Sequence, residues 1–212
     1  MHIAIIGASG FIGSSLLKEA LSRGHQVKAL VGHPERLTPH PQLTAVKVDA
    51  LDTPGLTGEL AGLEAALSAF SGHAQEDVYG YYMRGIRSIL AATKAAGVPR
   101  LLVVGGAGSL EVAPGVQLVD TPEFPAQWKG TALGAREALA LLRQEVDLDW
   151  TMLSPAAFIS PGQRTGQFRL GGDQLLSDAA GKSAVSVEDY AVAMIDELET
   201  PRHRRARFTV AY

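Results

Sequence analysis

Seven residues near the amino terminus carry the clearest chemistry. Gly7-Ala8-Ser9-Gly10-Phe11-Ile12-Gly13 sets three glycines at GxxGxxG spacing, behind the apolar run Ile3-Ala4-Ile5-Ile6 and ahead of an amphipathic stretch. A strand that turns sharply into a helix offers an anion the helix's first backbone N–H groups and the positive end of its dipole. The first glycine permits the turn, the second lets a pyrophosphate approach the backbone, and the third lets helix pack on strand. Dinucleotide binding by Gly7, Ser9, Gly10, Phe11, Ile12 and Gly13 is therefore expected. The alternative is a turn that needs glycine for packing alone.

The residues that follow bear on which dinucleotide. A carboxylate about 20 residues on, at the end of the second strand, grips the ribose 2′-hydroxyl of NAD. No acid occurs from Gln26 to Pro34, whereas Lys28, His33 and Arg36 lie near the place of a 2′-phosphate. NADP is thus preferred over NAD, although three cations on an ordinary solvated surface would read the same. Asp49, just after the third strand, suits the adenine amino group or else caps a turn.

These residues need a scaffold. Short apolar runs at Ile3–Ile6, Leu101–Val104 and Trp150–Leu153, with weaker ones at Val27–Val31 and Ala45–Val48, suit strands of a parallel sheet covered on both faces. Stripes at helical spacing lie between them. One is Leu16, Leu17, Ala20 and Leu21, ended by Gly24, and another is Ile86, Ile89, Leu90 and Thr93, closed by Gly97 and Pro99. Leu133, Ala138, Leu141 and Leu142 mark a third, and Tyr190, Ala191, Met194, Ile195 and Leu198 a fourth, opened by Val187-Glu188-Asp189. The alternation predicts one α/β domain over residues 1–212, a Rossmann-type doubly wound parallel sheet. Leu60–Phe70 is helical by propensity, yet its place in the alternation predicts a strand within Glu64–Phe70. Glycine-rich sequence from Pro155 to Lys182 predicts a small substrate-side appendage within 155–200, of loops, a hairpin (Gln167–Leu170 with Gln174–Leu176) and a helix. Arg207–Ala211 reads as a last strand.

Composition narrows the classes. With 212 residues, 46% of them hydrophobic, and a net charge of −3, the chain builds a core and has no general attraction to nucleic acid or membrane. The basic run Arg202–Arg207 lacks interleaved aromatics and reads as a solvated segment. The absence of cysteine excludes thiolate nucleophiles and thiolate metal ligands, and the histidines lack metal-ligand spacing, so no metal is expected. Gly-x-Ser-x-Gly, the nucleophile elbow, does not occur. No spanning apolar run or signal segment is evident, which predicts a cytoplasmic protein. No exposed apolar helix face is legible from which to assign an oligomeric state.

GASGFIG, RGHQVKALV, VKVDALD, AGVPRLLVVGGAGS and SPAAF, in this order, resemble the atypical short-chain dehydrogenase/reductase superfamily, in particular the NAD(P)H-binding group of NmrA-like proteins and the flavin reductase/biliverdin reductase B type. The resemblance covers nearly the whole chain. It implies that Ser68, Ala69 and Phe70 follow the fourth strand beside the adenosine ribose and the nicotinamide, and that Gly105 and Gly106 follow the fifth. It implies further that Ser109 is the active-site serine and that Pro155 covers the nicotinamide from the other side. His73, after the fourth strand, would be a proton donor.

One departure matters. Short-chain dehydrogenases use Tyr-x-x-x-Lys, in which lysine lowers the tyrosine pKa for proton exchange with a carbonyl or alcohol. No tyrosine of this chain has lysine four residues on; the region reads Phe124-Pro125-Ala126-Gln127-Trp128-Lys129, with Lys129 near the tyrosine's place. Ser109, Lys129 and His73 are the catalytic candidates, each with an ordinary structural alternative. Trp128, Phe124 and Phe158 would wall a flat acceptor or belong to the core. Tyr79, Tyr81 and Tyr82 suit a pocket or a dimer face equally. The leading expectation is an NADPH-dependent reductase acting on a small-molecule acceptor such as a flavin or quinone. The alternatives are a non-catalytic NAD(P)-binding redox sensor and a sugar-nucleotide epimerase or dehydratase.

Overall fold

Apolar runs of four to six residues bounded by glycine become strands because a parallel sheet covered on both faces has no solvent side for polar residues to occupy. The computed structural model describes residues 1–73 and 75–212. Twelve strands occur there: β1 (His2–Ile6), β2 (Gln26–Val31), β3 (Leu43–Lys47), β4 (Ala65–Ser68), β5 (Arg100–Val104), β6 (Glu111–Ala113), β7 (Val116–Gln117), β8 (Asp149–Ser154), β9 (Phe158–Ser160), β10 (Arg169–Gly171), β11 (Ala184–Ser186) and β12 (Ala206–Ala211). The α-helices are α1 (Phe11–Ser22), α2 (Thr53–Leu60), α3 (Val78–Ala95), α4 (Ala126–Gln144) and α5 (Val187–Glu199).

Eight strands form the main sheet in the order β10-β12-β8-β5-β4-β1-β2-β3. All neighbours are parallel except β10, which runs antiparallel along β12 with Leu170 opposite Val210. The chain winds outward from β1 to β3, returns to β4 on the other side of β1, and winds out again. Strand order therefore reverses between β1 and β4, where Ile3–Ile6 pair with Ala65–Ser68. Loops leaving these two strands diverge and open a crevice at the carboxyl edge of the sheet.

Two apolar layers clamp the sheet. On one face Leu16, Leu17 and Ala20 of α1 meet Tyr190, Met194 and Ile195 of α5 over Ile3, Ile5 and Phe208. On the other, Leu56 and Leu60 of α2, Ile86 and Ile89 of α3, and Leu139 and Leu142 of α4 cover Ile6, Leu101 and Met152. Each such buried aliphatic side chain contributes about 1.5–3 kcal/mol.

The strand expected in Glu64–Phe70 is β4, fully buried although alanine-rich, because pairing to β1 and β5 outweighs helical propensity. The helix α2 carries no long apolar stripe and was not anticipated; Asp52 caps it by accepting from the Gly55 N–H at 3.1 Å. The appendage pairs differently from expectation. Gln167–Leu170 does not fold back on Gln174–Leu176; Arg169–Gly171 adds to the sheet edge at β12, and Gln174 bridges to Glu111. An open sheet edge offers a whole row of backbone partners, which a local turn cannot match. β9 pairs in parallel with β11, tying Phe158–Ser160 to the entrance of α5. The basic run also needs correction at one residue: Arg207 lies within β12 and is buried.

Candidate cofactor and active site

The glycine loop fills the crevice between β1 and β4. Gly7 adopts φ of +79°, and a Cβ there would stand 2.7 Å from the Ala69 carbonyl oxygen, so the two loops nearly touch. At Gly13 a Cβ would overlap the Gly7 carbonyl oxygen and lie 2.8 Å from its carbon. These clashes are with backbone, which no rotamer change relieves. Gly10 is different. Its Cβ would meet only the Gly7 oxygen at 3.3 Å, and otherwise open space. Ser9, Gly10 and Phe11 are exposed there, and Ile12 is half-buried against the core.

Helix starts are informative here. Asp52, Asp77 and Ser186 cap α2, α3 and α5 by accepting from the third amide onward, at 2.8–3.1 Å. The start of α1 has no side-chain cap and no acid in its first turn. Its leading N–H groups lack the partner that three sibling helices provide internally, at the end whose dipole favours negative charge. A bare glycine cradle on an uncapped helix fits a pyrophosphate.

Beyond β2, His33 donates through Nδ1 to the Glu35 carboxylate at 2.9 Å, and Arg36 stands exposed beside them. The carboxyl of Glu35 is held below its usual range, first by its own backbone hydrogen bond and then by His33. This acid lies one residue beyond the acid-free span Gln26–Pro34. Lys28 is not near these groups: it lies mid-strand in β2 and donates to the Glu59 carbonyl oxygen at 2.9 Å. Asp49 accepts from the Leu51 N–H at 2.9 Å, capping a turn.

The loop after β4 is anchored by aromatics. Ser68 is buried in the sheet, Ala69 and Phe70 are half-buried, and the Phe70 ring stacks on Tyr82 (6.2 Å, 15°) and leans on Tyr81 (5.4 Å). Only glycine at position 85 leaves room for that ring. Tyr82 is thereby part of the core, and burial pushes its hydroxyl well up. His73 follows at the surface. Its Nδ1 lies 3.3 Å from the Thr131 hydroxyl, and its ring meets Trp128 edge-on at 5.9 Å. His73 and Lys129 are thus both brought to the first turns of α4, where Lys129 is exposed. Thr131 was not singled out from sequence; only the spatial approach of the loop after β4 to α4 reveals it.

The loop after β5 lies against α4. Gly105 donates to the Leu153 carbonyl oxygen at 2.8 Å, and Cβ atoms at Gly105 and Gly106 would press on Met152 and Ala135. Ser109 is 3% exposed, and Pro155, at the end of β8, is also buried. The partner of the Ser109 hydroxyl is Arg207, whose Nη1 stands 3.3 Å from it and 3.2 Å from the Ser154 hydroxyl. Burial lowers the Arg207 pKa, opposed by the Asp173 carboxylate that its Nε meets at 2.7 Å. Ser109 and His73 therefore sit in separate hydrogen-bond systems. A charged residue inside an otherwise buried terminal strand was the available sign of Arg207's role.

A surface cavity of about 270 Å³ opens at the opposite edge of the sheet, lined by Phe168, Glu197, His203 and Phe208 among others. Its three carboxylates are already engaged: Glu197 accepts from Arg100 at 2.8 Å and from the backbone of Arg202 and His203, and Asp196 and Glu199 accept from Arg23 at 2.7 Å. Among the described residues no cluster of three or more potential ligands is placed to hold a metal, and no helix is long and apolar enough to cross a membrane.

Known proteins share this architecture. A family described as NAD(P)H-binding matches residues 7–201. The uncharacterized protein YwnB of Bacillus subtilis is 44% identical over 99% of this chain and 98% of its own length. A candidate epimerase from Bacteroides thetaiotaomicron superposes with a TM-score of 0.94 at 44% identity, covering 100% of this chain and 96% of that one. A candidate NADH-flavin reductase from Streptococcus pneumoniae does so with a TM-score of 0.85 at 34% identity, covering 100% and 99%. With the glycine cradle, the uncapped helix and the reversal of strand order already in place, the chain belongs to the NAD(P)H-binding family.

Proposed function

We propose that the protein is a reductase that uses NADPH, in preference to NADH, to reduce a flat conjugated acceptor such as a flavin or quinone. The observation that carries this reading is the placement of four exposed aromatics. Phe11, Tyr79, Trp128 and Phe158 are 51%, 42%, 52% and 69% exposed. Phe11, Tyr79 and Phe158 lie at or near the start of the element that follows β1, β4 and β8 on the carboxyl edge, and Trp128, at the start of α4, meets His73 of the loop after β4. Leaving these rings partly in water forgoes about 0.6–2 kcal/mol each, which a stacking planar partner recovers in part.

Bound reduced nicotinamide supplies a hydride, and the acceptor takes it together with one proton. The chain contributes position and charge. Gly7, Ser9, Gly10, Phe11, Ile12 and Gly13 hold the pyrophosphate, His33 and Arg36 meet the 2′-phosphate, and Asp49 meets the adenine. Ser68, Ala69, Phe70, Gly105, Gly106 and Pro155 wall the nucleoside and nicotinamide. Ser109 orients the acceptor's polar edge and Lys129 binds near it. His73, turned by Thr131, gives the proton. A conjugated acceptor spreads incoming charge over its rings, which is why an acidified tyrosine is dispensable. Epimerisation finds no such support: burial pushes the hydroxyls of Tyr82 and Tyr190 up, the reverse of what Tyr-x-x-x-Lys does. The cytoplasm, where NADPH is kept reduced, is the compartment this reading assumes.

The test is titration with NADPH and NADH, then absorbance loss at the reduced-nicotinamide band across flavins, quinones and carbonyls. Oxidation with flavins or quinones, and little with carbonyls, supports the proposal. Tight binding without oxidation by any acceptor defeats it in favour of redox sensing.

A further inference from the structure

Of the basic run Arg202–Arg207, only Arg207 is buried, with its side chain 2% exposed. A guanidinium withdrawn from water costs several kcal/mol unless its donors find partners. Here each of its three nitrogens finds at least one. Nη1 donates to the hydroxyls of Ser109 (3.3 Å) and Ser154 (3.2 Å), and Nη2 to the Ser109 carbonyl oxygen at 3.4 Å. Nε donates to the Asp173 carboxylate at 2.7 Å, and Nη2 meets the same oxygen. Asp173 also accepts from Arg143 of α4 at 2.9 Å, and its carbonyl oxygen accepts from the Glu111 N–H, two residues beyond Ser109, at 2.8 Å. One cation thus joins the loop after β5, the end of β8 beside Pro155, and the turn after β10.

We propose that Arg207 is a positioning residue for Ser109. Guanidinium has donors and no acceptor, so the Ser109 oxygen must accept from it, which leaves the serine proton free to donate. The planar fork spans three elements at once, where the point charge of a lysine would not. This inference rests on the reading that Ser109 orients the acceptor.

The test compares Arg207→Met, Arg207→Lys, Ser109→Ala and the double variant Arg207→Met/Ser109→Ala. A charge-assisted hydrogen bond lost at the acceptor predicts kcat lowered about 10- to 100-fold in Arg207→Met, with NADPH Kd within about 3-fold of wild type. In the Ser109→Ala background the same change should alter kcat by less than about 3-fold, because the two act as a unit. Arg207→Lys should stay close to Arg207→Met. Hydrogen exchange should quicken at residues 105–110 and stay unchanged at residues 7–13. If Arg207→Met does not fold, Asp173→Asn, at a carboxylate 54% exposed, should give the same exchange pattern at smaller amplitude. Multiplying effects of Arg207→Met and Ser109→Ala, a rise in NADPH Kd matching the fall in kcat, or unchanged exchange at 105–110 overturns the inference. If the wild type reduces no acceptor, the reductase reading fails instead, and the exchange arm alone decides whether Arg207 orders the Ser109 loop.

Discussion

Replacing Gly13 and Gly10 by alanine, one at a time, separates the two jobs of the phosphate loop. At Gly13 the new methyl would overlap the Gly7 carbonyl group, with 2.8 Å to its carbon and 3.0 Å to the Ala8 Cα. The loop must open by about 0.6 Å to restore ordinary contact at the carbon, and by more than that at the overlapped oxygen. Overpacking against backbone costs about 1–3 kcal/mol, which for a domain of this size lowers Tm by about 2–12 °C. The displaced amides also weaken charge-assisted bonds to the pyrophosphate, so NADPH Kd should rise about 10- to 150-fold. At Gly10 the methyl needs only about 0.1 Å of give from the Gly7 oxygen, and φ of −79° with ψ of 176° suits any residue. Stability should change by less than about 1 kcal/mol, mostly the poorer capping of alanine. The methyl nevertheless stands in the open mouth of α1, where an anion must approach, so NADPH Kd should still rise at least about 10-fold. Thermal melts and fluorescence titration of both variants make the comparison. Wild-type affinity in Gly10→Ala would refute the placement of the pyrophosphate, and a wild-type melt in Gly13→Ala would refute the steric argument.

Three further outcomes can be checked. Gly58→Ala in α2, where a Cβ meets nothing within 4 Å, should raise stability by about 0.5–1 kcal/mol and leave NADPH Kd alone; a lowered Tm would contradict it. Trp128→Ala should raise KM for a flavin about 2- to 10-fold with little effect on NADPH Kd, measured by steady-state kinetics at varied flavin; equal KM values would remove Trp128 from the acceptor rim. Acid stability depends on Glu19 and Asp189. Hydrogen bonding from Arg164 leads in holding the Glu19 carboxyl below its usual range, and for Asp189 burial alone would raise the carboxyl but bonds from Thr165, Gly166 and Tyr212 outweigh it. Folded-state values depressed in this way add stability above the unfolded pKa, so it should be lost as pH falls below about 4. Melts from pH 7 to pH 3 should show a shallower decline for Asp189→Asn than for wild type, starting from a lower Tm, and parallel curves would count against this linkage.

Much of the architecture was legible because it depends on short-range facts. Continuous apolar runs such as Ile3–Ile6 and Trp150–Leu153 leave no polar face, so they demand cover on both sides; that requirement, with the helical stripes between them, is enough for a doubly wound sheet. The loop Gly7–Gly13 was readable for the same reason, since strand, turn and helix are adjacent in the chain. Whatever required distant segments to meet was hidden. The pairing of β10 with β12 joins residues some 40 positions apart, and it displaced the local hairpin that Gln167–Leu176 suggests. Lys28 faces α2 rather than the 2′-phosphate region because strand alternation, not sequence distance, decides which way a side chain points.

The contrast is sharpest in two charged or polar groups. By itself the amino-acid order determined that a bare glycine turn would open α1, because glycine spacing and helix polarity are written into thirteen consecutive residues. Only the tertiary structure decided that Arg207 leaves solvent to bond Ser109, Ser154 and Asp173, and that Thr131 turns toward His73. Hydrogen bonds act over about 3 Å, and the chain brings their donors and acceptors within that reach only after the sheet has closed.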